Sequence, residues 1–111
     1  MSSYVLGFPP KIMFGAGEAD RLAENIPIPK GSGVLLVTGR HALKDGLADR
    51  LRRTMSRFRV ESVAGVTPEP PLEEVDNLIR AGREWKVAAV VAAGGGSVID
   101  AAKTAACLIP L

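Results

Sequence analysis

Three consecutive glycines and a serine make up the segment of this sequence best suited to bind an anion: Gly94, Gly95, Gly96 and Ser97. They follow a short apolar run and precede a stretch of helical period, so the pattern predicts a strand, a tight turn and a helix starting near Ser97. Glycine lets a ligand approach the backbone, and the free amides at a helix start point toward a bound anion. The motif therefore predicts a phosphate site at these residues, with the Ser97 hydroxyl able both to cap the helix and to contact the phosphate.

A glycine run can also serve only to turn the chain tightly between a strand and a helix, and the motif alone leaves both interpretations open. A second predicted strand end, Thr38 to His41, contains Gly39, which likewise has no side chain to obstruct a ligand. Open α/β sheets bind ligands where the carboxyl ends of parallel strands meet. The presence of two such ends favours the phosphate site.

The elements that must position these residues follow from the hydrophobic period. Short apolar, β-branched runs alternate with longer stretches of helical period, which predicts an α/β fold: a mainly parallel sheet with flanking helices in a dinucleotide-binding layout. Prolines make residues 67–71 a stiff extended loop. We predict strands at 11–14, 34–38, 60–66 and 87–93 and a helix at 18–26. Three further helices are predicted from their apolar sides. The first carries Leu43, Leu47, Leu51 and Met55, the second Leu72, Val75, Ile79 and Gly82, and the third Val98, Ala101, Ala102 and Ala105.

Composition bounds the class of protein. The 111 residues are 47% hydrophobic, as expected for one globular domain spanning 1–111. The net charge of +2 is spread over the chain, so we expect no nucleic acid as a partner. No apolar run is long enough for a membrane span, and no export signal is visible, so we expect a cytoplasmic protein. Cys107 stands alone in an apolar stretch and is expected to be a small buried side chain.

Three motifs resemble the N-terminal nucleotide-binding domain of the iron-containing, metal-dependent alcohol dehydrogenase family. They are FPPKIMFGAG at 8–17, TPEP at 67–70 and GGGSVIDAAK at 94–103, in the same order over almost the whole chain. The resemblance implies hydride transfer between NAD(P) and a small alcohol or aldehyde, with the pyrophosphate on the glycine turn. Glycerol dehydrogenases and dehydroquinate synthases look similar in layout but typically carry another residue where Ser97 stands.

The resemblance also bears on the choice of cofactor. Many members end the second strand with an aspartate that binds the adenosine ribose and repels the 2′-phosphate of NADP. Gly39 stands at that place here, and Arg40 beside it is suited to pair with a phosphate, so we favour NADP over NAD. Asp100 matches the family's motif, and the spacing favours an ion pair with Lys103 over ligand contact. His41 is expected to be a surface or capping residue.

The family's metal site has no counterpart in these residues. Members carry a helical second domain whose Asp and His side chains hold a divalent metal, iron or zinc, that polarises the alcohol oxygen. We therefore expect the chain to be a truncated part of a longer enzyme that is not catalytic by itself, with neither catalytic nor metal-binding residues of its own. The alternative is a stand-alone nucleotide-binding or interaction module. Resemblance further implies a homodimer that pairs through residues 5–14.

Overall fold

The computed structural model describes residues 2–7, 12–16, 28–39, 46–67 and 71–109. Within these ranges the chain forms five strands and three helices. The helix expected at 18–26 lies outside the described residues. In chain order the elements are β1 Ser2–Gly7, β2 Ile12–Ala16, β3 Gly33–Gly39, α1 Leu47–Thr54, β4 Arg59–Val66, α2 Leu72–Glu84, β5 Val87–Gly94 and α3 Gly96–Leu108.

The five strands form one mixed sheet in the order β2-β1-β5-β3-β4. Strand β3 lies between β4 and β5 and is parallel to both, which confirms the α/β class and its parallel sheet with flanking helices. Strand β1 was not expected, and it pairs antiparallel with β5 on one side and with β2 on the other. Only three consecutive apolar residues mark β1 in the sequence, and its partner on β5 lies more than eighty residues along the chain.

The central strand β3 is buried along its whole length, as its apolar sequence predicts. Its side chains alternate between two cores. Leu35 and Val37 belong to the core that also holds residues of α2 and α3. Val34 and Leu36 belong to the opposite core, with Leu51 and Met55 beside α1. The two faces of the sheet are therefore covered by different helices.

This distribution of helices creates a topological switch point between β3 and β5. The chain leaving β3 continues to α1 on one face of the sheet, whereas the chain leaving β5 continues to α3 on the other face. Two adjacent parallel strands whose following helices diverge in this way leave a crevice between their carboxyl ends. The glycine turn lies at that end of β5.

The helices α2 and α3 are joined tightly near their ends. The Arg83 guanidinium donates hydrogen bonds to the carbonyls of Leu108 (Nη2, 2.8 Å) and Ile109 (Nε, 3.1 Å). A Cβ atom built on Gly82 would lie 2.8 Å from Ile109 Cγ1. This close approach fixes the C-terminal end of α3 against α2.

Two side chains expected in the core are exposed. Leu72 is 81% exposed, because it is the first residue of α2 and precedes the turns that reach the sheet. Cys107 is also exposed. It follows Asp100 and Thr104 at helical spacing and shares their exposed face, opposite the alanine face of α3.

Candidate functional site

The turn from β5 to α3 differs from expectation in its cap. Helix α3 begins at Gly96 with Gly95 as its N-cap, and the N–H groups of Val98 and Ile99 both donate to the Gly95 carbonyl at 3.1 Å. Ser97 is therefore the second residue of the helix, and no side chain caps it. The expected capping role of Ser97 is wrong, because Gly95 already occupies the N-cap position. The half-buried Ser97 hydroxyl is not used as a cap.

The glycines of the turn are required for different reasons. Gly94 has a φ of 156°, and a Cβ built on it would stand 3.1 Å from Val98 Cβ, so the fold itself requires glycine there. Gly95 and Gly96 are exposed, and a Cβ on either would meet no atom of the described residues within 4 Å. Among those residues nothing in the packing requires a glycine at either position, and the backbone there is accessible to a ligand.

The start of α3 also lacks negative charge of its own. The first turns of α1 and α2 carry the carboxylates Asp49, Glu73 and Glu74, whereas the first turn of α3 carries none. The positive end of the α3 dipole is therefore not offset by a carboxylate in its own first turn. An anion reaching the backbone at Gly95 and Gly96 would meet unpaired helix amides in a favourable field.

The structure places Gly39 beside this turn. A Cβ on Gly39 would lie 3.3 Å from Val98 Cγ2 and 3.8 Å from the Val66 carbonyl oxygen. Val98 thus contacts both the end of β3 and the end of β5. Arg40 and His41 lie outside the described residues, so their roles stay predictions.

Thr38, which was not predicted as a site residue, stands directly before Gly39. Thr38 pairs in register with Ala93 across β3 and β5, and it is completely buried. Its Oγ1 atom has no hydrogen-bond partner in the part of the chain that the structure describes. The sequence marks this position by placing a polar side chain near the end of an otherwise apolar strand.

The last of the expected site residues, Asp100, lies one turn into α3 and is exposed. Its carbonyl accepts a hydrogen bond from Thr104 Oγ1 at 3.0 Å. Neither that bond nor its exposure distinguishes an ion pair with Lys103 from contact with a ligand. Both interpretations of Asp100 remain predictions.

A short hydrogen bond is found beyond the carboxyl end of β4. The Thr67 hydroxyl donates to the Glu74 carboxylate with an Oγ1 to Oε2 distance of 2.6 Å. Thr67 follows β4 and Glu74 lies in the first turn of α2, so the bond ties together the two ends of the proline-rich segment. It fixes where that segment leaves the sheet, next to the strand that carries Gly39.

The described residues contain neither a metal-binding cluster nor a membrane-spanning helix. No group of three or more His, Cys, Asp and Glu side chains in these ranges is arranged to hold a metal ion. The sole histidine, His41, is outside them. No helix among α1, α2 and α3 is long and apolar enough to cross a membrane.

A mixed sheet with three parallel strands, helices on both faces and a glycine turn at its switch point defines the class as an α/β domain of dinucleotide-binding layout. The sequence model of the family described as "Iron-containing alcohol dehydrogenase" matches residues 9–110. The chain belongs to the iron-containing alcohol dehydrogenase family.

Individual relatives agree with this assignment. The chain is 36% identical over 109 residues to "Probable NADH-dependent butanol dehydrogenase 1" of Bacillus subtilis, covering 96% of the chain and 28% of that protein. It is 34% identical over 104 residues to "NADPH-dependent aldehyde reductase YqhD" of Escherichia coli, covering 93% and 26%. The relatives are thus alcohol dehydrogenases and aldehyde reductases, and the chain spans about a quarter of their length.

Solved structures show the same fold. The butanol dehydrogenase A of Thermotoga maritima superposes with a TM-score of 0.67 at 28% identity, over 82% of this chain and 24% of that one. The substrate- and cofactor-free YqhD of Escherichia coli gives a TM-score of 0.68 at 31% identity, over the same shares. The architecture therefore matches part of these larger enzymes.

Proposed function

We propose that this chain binds the sugar-phosphate part of NAD(P) in the crevice between β3 and β5. In this proposal it is the nucleotide-binding portion of a metal-dependent enzyme that transfers hydride between NAD(P) and an alcohol or aldehyde. The observation that carries the proposal is the exposed backbone at Gly95 and Gly96, at the N-terminus of α3, where a methyl group would meet no atom in the part of the chain that the structure describes. A pyrophosphate fits there because it needs backbone amides and close approach.

The chain's own residues would bind and orient the cofactor, not perform the chemistry. Gly95, Gly96 and Ser97 would hold the phosphates, and Val98 would keep the end of β3 at its distance from the turn. The bound nicotinamide supplies the hydride acceptor or donor. A divalent metal, iron or zinc, is proposed only for the longer enzyme, since the described residues do not fit a metal site.

NADP is the proposed cofactor in preference to NAD. The relatives' names include both NADH-dependent and NADPH-dependent enzymes, so support comes from this chain's own residues. Gly39 ends β3 without a carboxylate and lies against the glycine turn through Val98. A 2′-phosphate at this strand end would therefore meet no negative side chain from position 39.

Calorimetric titration of NADP and NAD into the full-length gene product tests the binding site. The informative variant is Gly96→Ala. Alanine is the better helix former, so the ligand-free protein should be as stable as wild type or more so, by up to about 1 kcal/mol. The added methyl group should nevertheless weaken dinucleotide binding by roughly tenfold, by blocking close approach to the backbone.

The matched control is Asn77→Ala, an exposed position on α2 away from the crevice, and it should bind the dinucleotide like wild type. Full affinity in Gly96→Ala would remove the glycine turn from the site. If the wild-type protein shows no saturable binding of either dinucleotide, the alternative of an interaction module gains support.

A homodimer is proposed as the working assembly, and the pairing of the described strands supports β2 as its contact segment. Strand β1 is paired on both sides, so among the described strands at this end of the sheet only β2 presents an unpaired edge. An open edge is a template for pairing with another strand. Light scattering over a range of concentrations should show dimers, and a clean monomer at high concentration would contradict this assembly.

A further inference from the structure

Thr38 places a polar group at the switch point among described residues that offer it no hydrogen-bond partner. The residue is fully buried, and its hydroxyl has no hydrogen-bond partner among the described residues. Leaving a buried hydroxyl unpaired destabilises a fold, whereas valine would fill the same space without that cost. The strand is otherwise made of valine, leucine and glycine, so its packing gives no reason for a hydroxyl at this position.

The position of Thr38 relates it to the crevice. It is in register with Ala93, the residue directly before Gly94, so it lies one strand across from the start of the glycine turn. Adjacent strands are about 4.8 Å apart, a distance that the sugar next to a bound phosphate group can span. Gly39, which follows Thr38, adds no side chain at the end of the strand.

We infer that the Thr38 hydroxyl forms a hydrogen bond with the sugar-phosphate backbone of the bound dinucleotide, and that the ligand supplies the partner that the described residues do not. This inference rests on the proposed function and adds to the glycine turn a side-chain contact from β3. A hydroxyl can both donate and accept, so it suits a ribose hydroxyl or a phosphate oxygen. Thr38 shares the α1 face of the sheet with Val34, Leu36 and Ala93 and has no accessible surface in the ligand-free structure. The inference therefore requires that this face opens at the carboxyl end of β3 as the ligand enters.

The test compares Thr38→Val and Thr38→Ser in the full-length gene product, with NADP, NAD and ADP-ribose as titrants. Valine keeps the shape and removes the hydroxyl, so the affinity for all three ligands should fall by about fivefold to tenfold. The unfolding midpoint of the ligand-free valine variant should stay the same or rise, because an unpaired buried hydroxyl has been removed. Serine keeps the hydroxyl and should retain affinity within about twofold of wild type.

Several results would overturn the inference. One is wild-type affinity in Thr38→Val; another is a lowered midpoint of that variant without ligand, which would mean that the hydroxyl has a partner inside the protein. A serine variant that binds as poorly as the valine variant would show that shape, not the hydroxyl, matters. A loss seen with NAD but not with ADP-ribose would exclude the sugar-phosphate backbone. Failure of the proposed function is distinct, since wild type would then bind none of the three ligands.

Discussion

Gly39 lies so close to Val98 that a Cβ atom added to Gly39 would be 3.3 Å from Val98 Cγ2. Val98 also fills the space that a side chain on Gly94 would need. One valine in the first turn of α3 thus packs against both the end of β3 and the glycine turn. The two proposed halves of the cofactor site, which are more than fifty residues apart in sequence, are joined through this contact.

The Gly39 contact allows cofactor choice to be tested with a matched pair of variants. Gly39→Ala adds a methyl group at a distance that Val98 must relieve by a few tenths of an ångström, so a modest loss of stability is expected in both variants. Gly39→Asp adds a carboxylate at the same point. Because that charge repels a 2′-phosphate and can accept a hydrogen bond from a ribose, the ratio of NADP to NAD affinity should fall by roughly tenfold relative to Gly39→Ala.

Titration of both dinucleotides into each variant measures that ratio directly. The alanine variant controls for the crowding against Val98, since it shares the added Cβ without the charge. An unchanged ratio in Gly39→Asp, or tighter binding of NAD than NADP by wild type, would contradict the proposed preference.

Alanine substitution should lower the stability of the protein at Gly94 but not at Gly96. Gly94→Ala forces a side chain into a backbone with a φ of 156° and against Val98, so the free energy of unfolding should fall by about 2–3 kcal/mol. Gly96→Ala meets neither obstacle. Urea unfolding of the two variants without ligand should therefore separate a folding requirement at Gly94 from a ligand requirement at Gly96; equal stability of the two would refute this division.

The contact between Gly82 of α2 and Ile109 after α3 predicts that a substitution at one position partly compensates for a substitution at the other. Gly82→Ala places a methyl group against the Ile109 side chain, and we expect a loss of about 1–3 kcal/mol in the free energy of unfolding. Ile109→Val removes one methyl group from the same contact. In the double variant the loss should be smaller than the sum of the two single losses, because the shortened side chain makes room.

Thermal or urea unfolding of the four proteins completes this double-mutant cycle. Asn77→Ala at an exposed position of the same helix is the control, since it adds no clash and should change the free energy of unfolding by less than about 1 kcal/mol. Additive losses in the double variant would mean that the clash with Ile109 is relieved elsewhere.

Much of the parallel part of the fold is visible in local sequence. The runs that predict strands at 34–38, 60–66 and 87–93 lie within one residue of β3, β4 and β5. Those strands are short, apolar and bounded by turn residues, so their own period identifies them. The glycine turn, the helix after it and the family resemblance were likewise present in contiguous residues.

Other features depend on residues distant in sequence. Strand β1 has a weak local signal and is stabilised by pairing with β5, Val5 opposite Val91. The cap at Gly95, not Ser97, and the exposure of Leu72 follow from where each helix begins relative to the sheet. A local pattern cannot specify these features, because they depend on which elements pack together.

Hydrophobic period and turn residues predicted an α/β domain with a glycine turn after a buried strand, and three sequence motifs carried the resemblance to the iron-containing alcohol dehydrogenase family. Contiguous sequence is enough for the period and the turn, because both act over a few residues. The packed fold was needed to show that α1 and α3 lie on opposite faces after β3 and β5, that Gly94 serves the fold, and that among the described residues Gly96 has no contact for a side chain and Thr38 is buried without a partner. These properties arise when distant segments pack, because burial and close approach belong to pairs of elements, not to any one of them.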